Sequence, residues 1–203
     1  MPDQKAQLRA TLLAARRELP RDVVATQSRR VVARLDSFAP FGSAAALLLY
    51  DGVQGEVETD AIRKEADRRS LPTYYPRVQG TPGELEFVRV APGEALVPGR
   101  WGIAEPAGED RFRPGEQALV LVPGLAFDAR GVRLGRGRGC YDRAIAKLRP
   151  PAVVVGLAFS SQIIPGLPRD DWDQAVDVIV TDAEILQCQP LTPVGKAALA
   201  IAK

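Results

Sequence analysis

The chain has 203 residues, 46% of them hydrophobic and 26% charged, the proportions of one ordinary globular domain rather than a disordered chain. Histidine is absent, which excludes a Ser-His-Asp triad, an HExxH zinc site and any histidine general base. The two cysteines, Cys140 and Cys188, form no CxxC pair, and a net charge of +2 is too small to announce a nucleic-acid binder.

Any catalysis therefore rests on Asp, Glu, Lys, Arg, Tyr or backbone amides. Of the 27 basic residues only five are lysine; the rest are arginine, whose rigid fork pairs with phosphate and carboxylate. No apolar run approaches the ~18 residues of a membrane span, and no signal segment is visible, so a cytoplasmic location is expected.

In chain order, residues 3–18 read as an amphipathic helix stopped before Pro20. Leu8, Leu12, Leu13 and Ala15 fall on one side of it, with Arg9, Arg16 and Arg17 elsewhere. A second helix is predicted over 22–36, with Val24, Val31, Val32 and Leu35 inward. The unbroken apolar run 45–50 predicts a strand buried on both faces. A loop over 51–57 leads to a helix over 59–69, with Thr59 read as its N-cap. Thr73–Pro76 and Leu85–Val90 read as strands around a Gly/Pro turn. Residues 91–117 read as a long loop holding Trp101. Leu119–Val122 is the clearest buried strand, ended by Pro123-Gly124. A helix over 141–149 and strands at Ala152–Ala158 and Asp177–Val180 follow.

This alternation predicts an α/β fold: a single three-layer α/β/α domain with a largely parallel central sheet over 1–183. Residues 184–203 are expected to form a tail, helix-prone at 197–202, packed on or extending from that domain. Ligands of such sheets sit beyond the carboxyl ends of the strands. The charged segments 51–59, 124–142 and 160–177 are thus the expected site.

The most unusual segment is Arg133-Leu134-Gly135-Arg136-Gly137-Arg138-Gly139-Cys140-Tyr141-Asp142. Its alternate glycines bare the backbone, arginines flank it and a helix begins at its end. Exposed N–H groups, a helix N-terminus and guanidinium forks together suit a polyphosphate. It lacks the Gly-Lys-Ser/Thr of a Walker A loop, and Cys140 breaks the dinucleotide pattern G-x-G-x-x-G. An ordinary turn with solvated arginines is the competing reading.

This segment and its lead-in, Val122-Pro123-Gly124-Leu125-Ala126-Phe127-Asp128 and Gly131, resemble the signature of the 5-formyltetrahydrofolate cyclo-ligase family. The resemblance runs from Lys5 to Thr181. It implies an ATP-dependent ligase that cyclises 5-formyltetrahydrofolate to 5,10-methenyltetrahydrofolate through a phosphorylated formyl intermediate, releasing ADP and phosphate. It also implies Mg²⁺ as cofactor, with a reduced folate and ATP as the only partners. No nucleic acid, no membrane and a monomeric state are expected.

Carried over by position, Lys5, Arg9 and Arg133 through Tyr141 resemble the ATP-binding residues: Leu134, Gly135, Arg136, Gly137, Arg138, Gly139 and Cys140 lie between. Arg9, Asp51, Glu56, Trp101 and Arg136–Cys140 match the folate-binding positions, with Glu56 on the pterin. Arg136, Arg138 and Tyr141 are the implied catalytic groups, and Asp142 and Asp173 the implied Mg²⁺ ligands. On the residues alone, Asp142 is equally a helix cap, and Trp101, Phe127 and Tyr141 could be core or site wall.

The chain departs from the family pattern at four places. Cys140 replaces an aromatic, and Ser70-Leu71 stands where a Gly-Lys pair is common. Trp172 precedes Asp173 where histidine is frequent, and Asp51 replaces an apolar contact. Cys140, Leu71 and Asp51 leave a rival reading, a non-catalytic folate- or nucleotide-binding paralogue of the same fold. An RNA-binding module is a further rival, and would show affinity that collapses with salt.

Overall fold

A computed structural model describes residues 4–80 and 83–188. Its helices are α1 (Gln4–Arg17), α2 (Arg21–Asp36), the single turn α3 (Ala39–Gly42), α4 (Asp60–Arg68) and α5 (Cys140–Leu148). The strands are β1 (Leu47–Leu48), β2 (Thr73–Gln79), β3 (Glu84–Val90), β4 (Val97–Pro98), β5 (Ala104–Glu105), β6 (Leu119–Val122), β7 (Ala126–Phe127), β8 (Arg133–Leu134), β9 (Val153–Leu157), β10 (Val178–Val180) and β11 (Ile185–Gln187).

Seven strands form one sheet in the order β11-β10-β9-β6-β1-β2-β3. The five inner strands run parallel, and β3 and β11 close the two edges antiparallel. Because side chains alternate along a strand, the apolar runs feed two cores. Leu47, Leu49, Leu119, Leu121 and Leu157 point to the face covered by Val31 and Leu35 of α2 and Ile62 of α4. Leu48, Val120, Val122, Val154 and Ile179 point to the face covered by Ile145 and Leu148 of α5. The result is the predicted three-layer α/β domain with a mostly parallel sheet.

Residues 185–187 extend the sheet as β11, pairing with β10, so the domain continues past residue 183, where the tail was expected to begin. The helix expected at 197–202 lies outside the described residues. Within the expected loop 91–117, β4 and β5 pair as a small hairpin with Trp101 at its tip, at φ 58°. Another hairpin, β7–β8, had no forecast at all. It is closed by the buried Asp128, which accepts the amides of Arg130 (2.9 Å) and Val132 (3.1 Å). Phe127 of this hairpin is fully buried core, not site wall. Its ring lies where a Cβ on Gly156 would sit, at 2.5 Å, so no larger residue fits there.

Helix α1 departs most from expectation. Ala15 is exposed, and the stripe facing the protein is Lys5, Leu8, Arg9, Leu12 and Arg16. Leu8 and Leu12 pack on Val132, Leu134 and Leu167, while Lys5 and Arg16 are buried charges. Charge is tolerated on a buried face only where carboxylates or carbonyls meet it, and those partners lie 40 to 168 residues away along the chain. No helix among the described residues is long and apolar enough to cross a membrane.

Candidate active site

Parallel strands leave their loops at one end of the sheet. Loops after β1, β6 and β9, with the hairpin after β3 and the inner face of α1, enclose a cleft of ≈ 360 Å³. Every residue singled out in the sequence for ATP, folate or metal lines it: Lys5, Arg9, Asp51, Glu56, Trp101, the stretch Arg133–Asp142, and Asp173. Leu71 does not, and packs against the apolar core beside α4. Arg16, Tyr50, Glu105, Asp170 and Trp172 line the cleft as well and were not singled out as ligands. The helical spacing of Lys5, Arg9 and Arg16 was the one available signal for Arg16.

At one end lies Glu56, buried, with Oε1 accepting from Arg16 (3.3 Å) and Arg136 (3.0 Å) and Oε2 from the Val53 amide (3.2 Å). The other fork nitrogen of Arg16 donates to the Gly124 carbonyl at 3.1 Å. Burial lowers the pKa of Arg16 and Glu56 opposes that; a guanidinium stays charged throughout. Tyr50 donates to the Val57 carbonyl at 3.2 Å, and burial holds its phenol well above the usual tyrosine range. Burial also raises the Asp51 carboxyl. Thr59 occupies the N-cap position of α4 but caps nothing. Its hydroxyl donates to the Tyr50 carbonyl at 2.6 Å, pinning the loop that carries Glu56.

At the other end Lys5 donates to Asp170 (2.6 Å) and to Asp173. Burial would lower this ammonium's pKa, but the two carboxylates outweigh it and hold the value above normal. Asp142 is not a helix cap. Gly139, in the left-handed region, holds the N-cap position of α5, and Asp142 in the first turn accepts from both Arg133 (3.1 Å to each oxygen) and the Gln174 amide (3.2 Å).

Between these ends runs the Gly/Arg loop. Arg9 donates to the Gly135 carbonyl at 3.1 Å. Gly137 has φ 90°, and a Cβ there would lie 3.3 Å from the Arg9 guanidinium, so two constraints require glycine. Arg136, Gly137 and Arg138 are exposed to the cleft. The Arg138 guanidinium lies 3.9 Å from the centre of the Trp101 ring, a cation–π stack that folds the β4–β5 hairpin over the loop. Tyr141 stands with Arg133 5.4 Å from its ring centre, and burial pushes its phenol far up. It can donate a proton in a hydrogen bond at neutral pH but cannot serve as a base.

This cleft holds no histidine; its lining is an array of oriented cations and carboxylates. The model of the 5-formyltetrahydrofolate cyclo-ligase family matches residues 2–182.

The chain belongs to the 5-formyltetrahydrofolate cyclo-ligase family.

A mouse protein named 5-formyltetrahydrofolate cyclo-ligase is 30% identical over 187 residues, 87% of this chain and 92% of that one. The Escherichia coli K12 protein of the same name is 29% identical over 178 residues, 84% and 96% of the two chains. The NMR structure of Aquifex aeolicus 5,10-methenyltetrahydrofolate synthetase superposes with a TM-score of 0.82 at 31% identity. That match covers 98% of this chain and 100% of the other. The family model thus spans residues 2–182, and the structural match nearly the whole chain.

Proposed function

We propose that this protein uses ATP to close 5-formyltetrahydrofolate into 5,10-methenyltetrahydrofolate. The formyl oxygen attacks the γ-phosphorus, the bond to ADP breaks, and an iminium phosphate forms at nitrogen 5. Nitrogen 10 then bonds to the formyl carbon and loses its proton to water, and the carbon–oxygen bond breaks to release phosphate. The observation that carries this reading is the convergence of all the family-matched residues on one cleft.

In this reading Glu56 accepts the aminopyrimidine face of the pterin. Arg136 shares that carboxylate with Arg16, so it can turn to the transferring phosphoryl group while Arg16 keeps Glu56 paired. Arg138 and Tyr141 donate to the same group, and Lys5, Arg9, Arg133 and the loop amides hold the remaining phosphates. Positioning and charge stabilisation are the main demands of phosphoryl transfer, which a histidine-free site meets.

Mg²⁺ is the ion this reading implies; among the described residues no group of three or more metal-type side chains is gathered, so two carboxylates would have to share it with phosphate oxygens. Among the described residues Asp170 and Asp173 pair with Lys5 and Asp142 pairs with Arg133, carboxylates that a triphosphate would meet more readily with a cation bound. An ionised carboxylate has about four lone-pair sites, and Asp142 uses three of its own on Arg133 and Gln174. Asp142 and Asp173 would hold the ion, which neutralises phosphate charge when bound.

The test is a spectrophotometric assay of the purified protein with 5-formyltetrahydrofolate, Mg²⁺ and ATP, following the near-ultraviolet band of the methenyl product. The expected result is a rise that requires ATP. A flat trace from folded protein that still binds ATP would establish the non-catalytic paralogue, with Cys140→Tyr the first variant to make.

A further inference from the structure

The cleft has two tryptophans, and they differ. Trp101 is 46% exposed, with one ring face taken by Arg138. Trp172 is 70% exposed, the most exposed of the large hydrophobic side chains described, yet it lines the same cleft. Among the described residues its ring has no stacking partner, no cation over its face and no acceptor for its indole N–H. Its backbone is nevertheless fixed. Gln174 donates to the Trp172 carbonyl at 3.2 Å, the Asp173 amide to Asp170 at 3.1 Å, and the Asp170 amide returns to the Asp173 carboxylate at 2.8 Å. A rigid turn thus presents a bare aromatic face to a cleft.

Helix α1 gives the scale. Its Arg16 reaches Glu56 and its Lys5 reaches Asp173. At 1.5 Å per residue those contacts lie about 16 Å apart along the helix. If the pterin sits at Glu56, the γ-phosphate must meet it beside the Gly135–Gly139 loop and Arg9. The triphosphate then runs along α1 toward Lys5, and the base falls past Lys5, where Trp172 adjoins Asp173.

We infer that the indole of Trp172 is the stacking platform for the purine base of the nucleotide, at the Lys5–Asp173 end of the cleft. The inference rests on the proposed ATP site and deepens it. A stacked base needs only a flat π-face, so the platform itself holds adenine and guanine alike.

The test uses Trp101→Phe, in which Trp172 is the sole tryptophan, since the chain has two. Titration with ATP and with GTP in the presence of Mg²⁺ is expected to quench its fluorescence, and inorganic tripolyphosphate is not. In the otherwise native chain, Trp172→Ala is expected to raise the KM for ATP roughly 5- to 150-fold, the range of base–aromatic stacking. The KM for the folate should hold, and Trp172→Phe should restore most of the loss. Equal quenching by tripolyphosphate, or no quenching while ATP still raises the melting temperature, overturns the platform and leaves the ATP site standing. Failure of ATP to bind the native chain at all overturns both.

Discussion

The two ends of the cleft are built from the same materials with opposite balance. Around Glu56, two arginines share one carboxylate, and all of Arg16 but 4% of its side chain is shielded from solvent. Around Asp173, Lys5 bridges Asp170 and Asp173 while Arg133 pairs with Asp142, and Asp170 stands 43% exposed. A buried carboxylate held by two arginines and a backbone amide is fixed in place with about one of its four acceptor sites left for a ligand. A wetter group with surplus negative charge is suited to trade its partners for a cation. Under the proposed function the first end would take an uncharged heterocycle that donates hydrogen bonds and the second a metal-bearing nucleotide.

The largest effect should come from the dry end. Glu56→Ala leaves Arg16 and Arg136 facing each other without their anion, and breaking a buried pair on one side costs about 3–5 kcal/mol of stability. Urea unfolding measures it, and a wild-type midpoint would show that the two arginines find other partners. Arg136→Ala separates chemistry from stability at the same end. Glu56 keeps Arg16, and Arg136 is 35% exposed, so folding should change by less than ~1 kcal/mol. Turnover should fall by about 2–4 kcal/mol of transition-state stabilisation, the scale of one lost oriented donor. Equal losses in both measurements would place Arg136 in the scaffold.

At the wet end, Asp173→Asn leaves Lys5 its Asp170 partner. The stability cost should be smaller, roughly 1.5–3 kcal/mol for a charge-assisted hydrogen bond. The informative readout is the Mg²⁺ concentration needed for half-maximal activity, which should rise while the KM for folate holds. A rise in the folate KM alone would reverse the assignment of the two ends.

How legible the molecule was depends on where each partner lay. The inner strands could be read because apolar runs such as 45–50 and 119–122 carry their own burial signal. Hairpin β7–β8 could not, since strands of two residues have no period to detect; it depends on Asp128 gathering amides from 130, 132 and 167. The Gly/Arg loop stood out by spacing alone, and the family resemblance gathered residues that the fold then placed in one cleft. Arg16 escaped because hydropathy assigns arginine to the solvent side. Its acceptors at 56 and 124 become visible only when the loops after β1 and β6 lie together against α1. Trp172 escaped for the opposite reason, because nothing in the fold explains its exposure.

The smallest effect separates the ends by titration. Lys5 has its pKa held above the ordinary lysine value of 10.5 by Asp170 and Asp173, against the opposing pull of burial. A group whose folded value is raised contributes its full stabilisation below the unfolded value and loses it as pH climbs through the folded one. The difference in melting temperature between the native chain and Lys5→Met should therefore stay level from pH 7 to about 10 and narrow only above 10.5. The dry end has no comparable titration in that window, because the Tyr50 phenol is held well above its usual range and arginine keeps its charge. Comparing the two chains at each pH cancels the alkaline unfolding they share. A difference that narrowed already between pH 7 and 9 would mean Lys5 is less tightly held than its two carboxylates require, and that the wet end is organised by Arg133 instead.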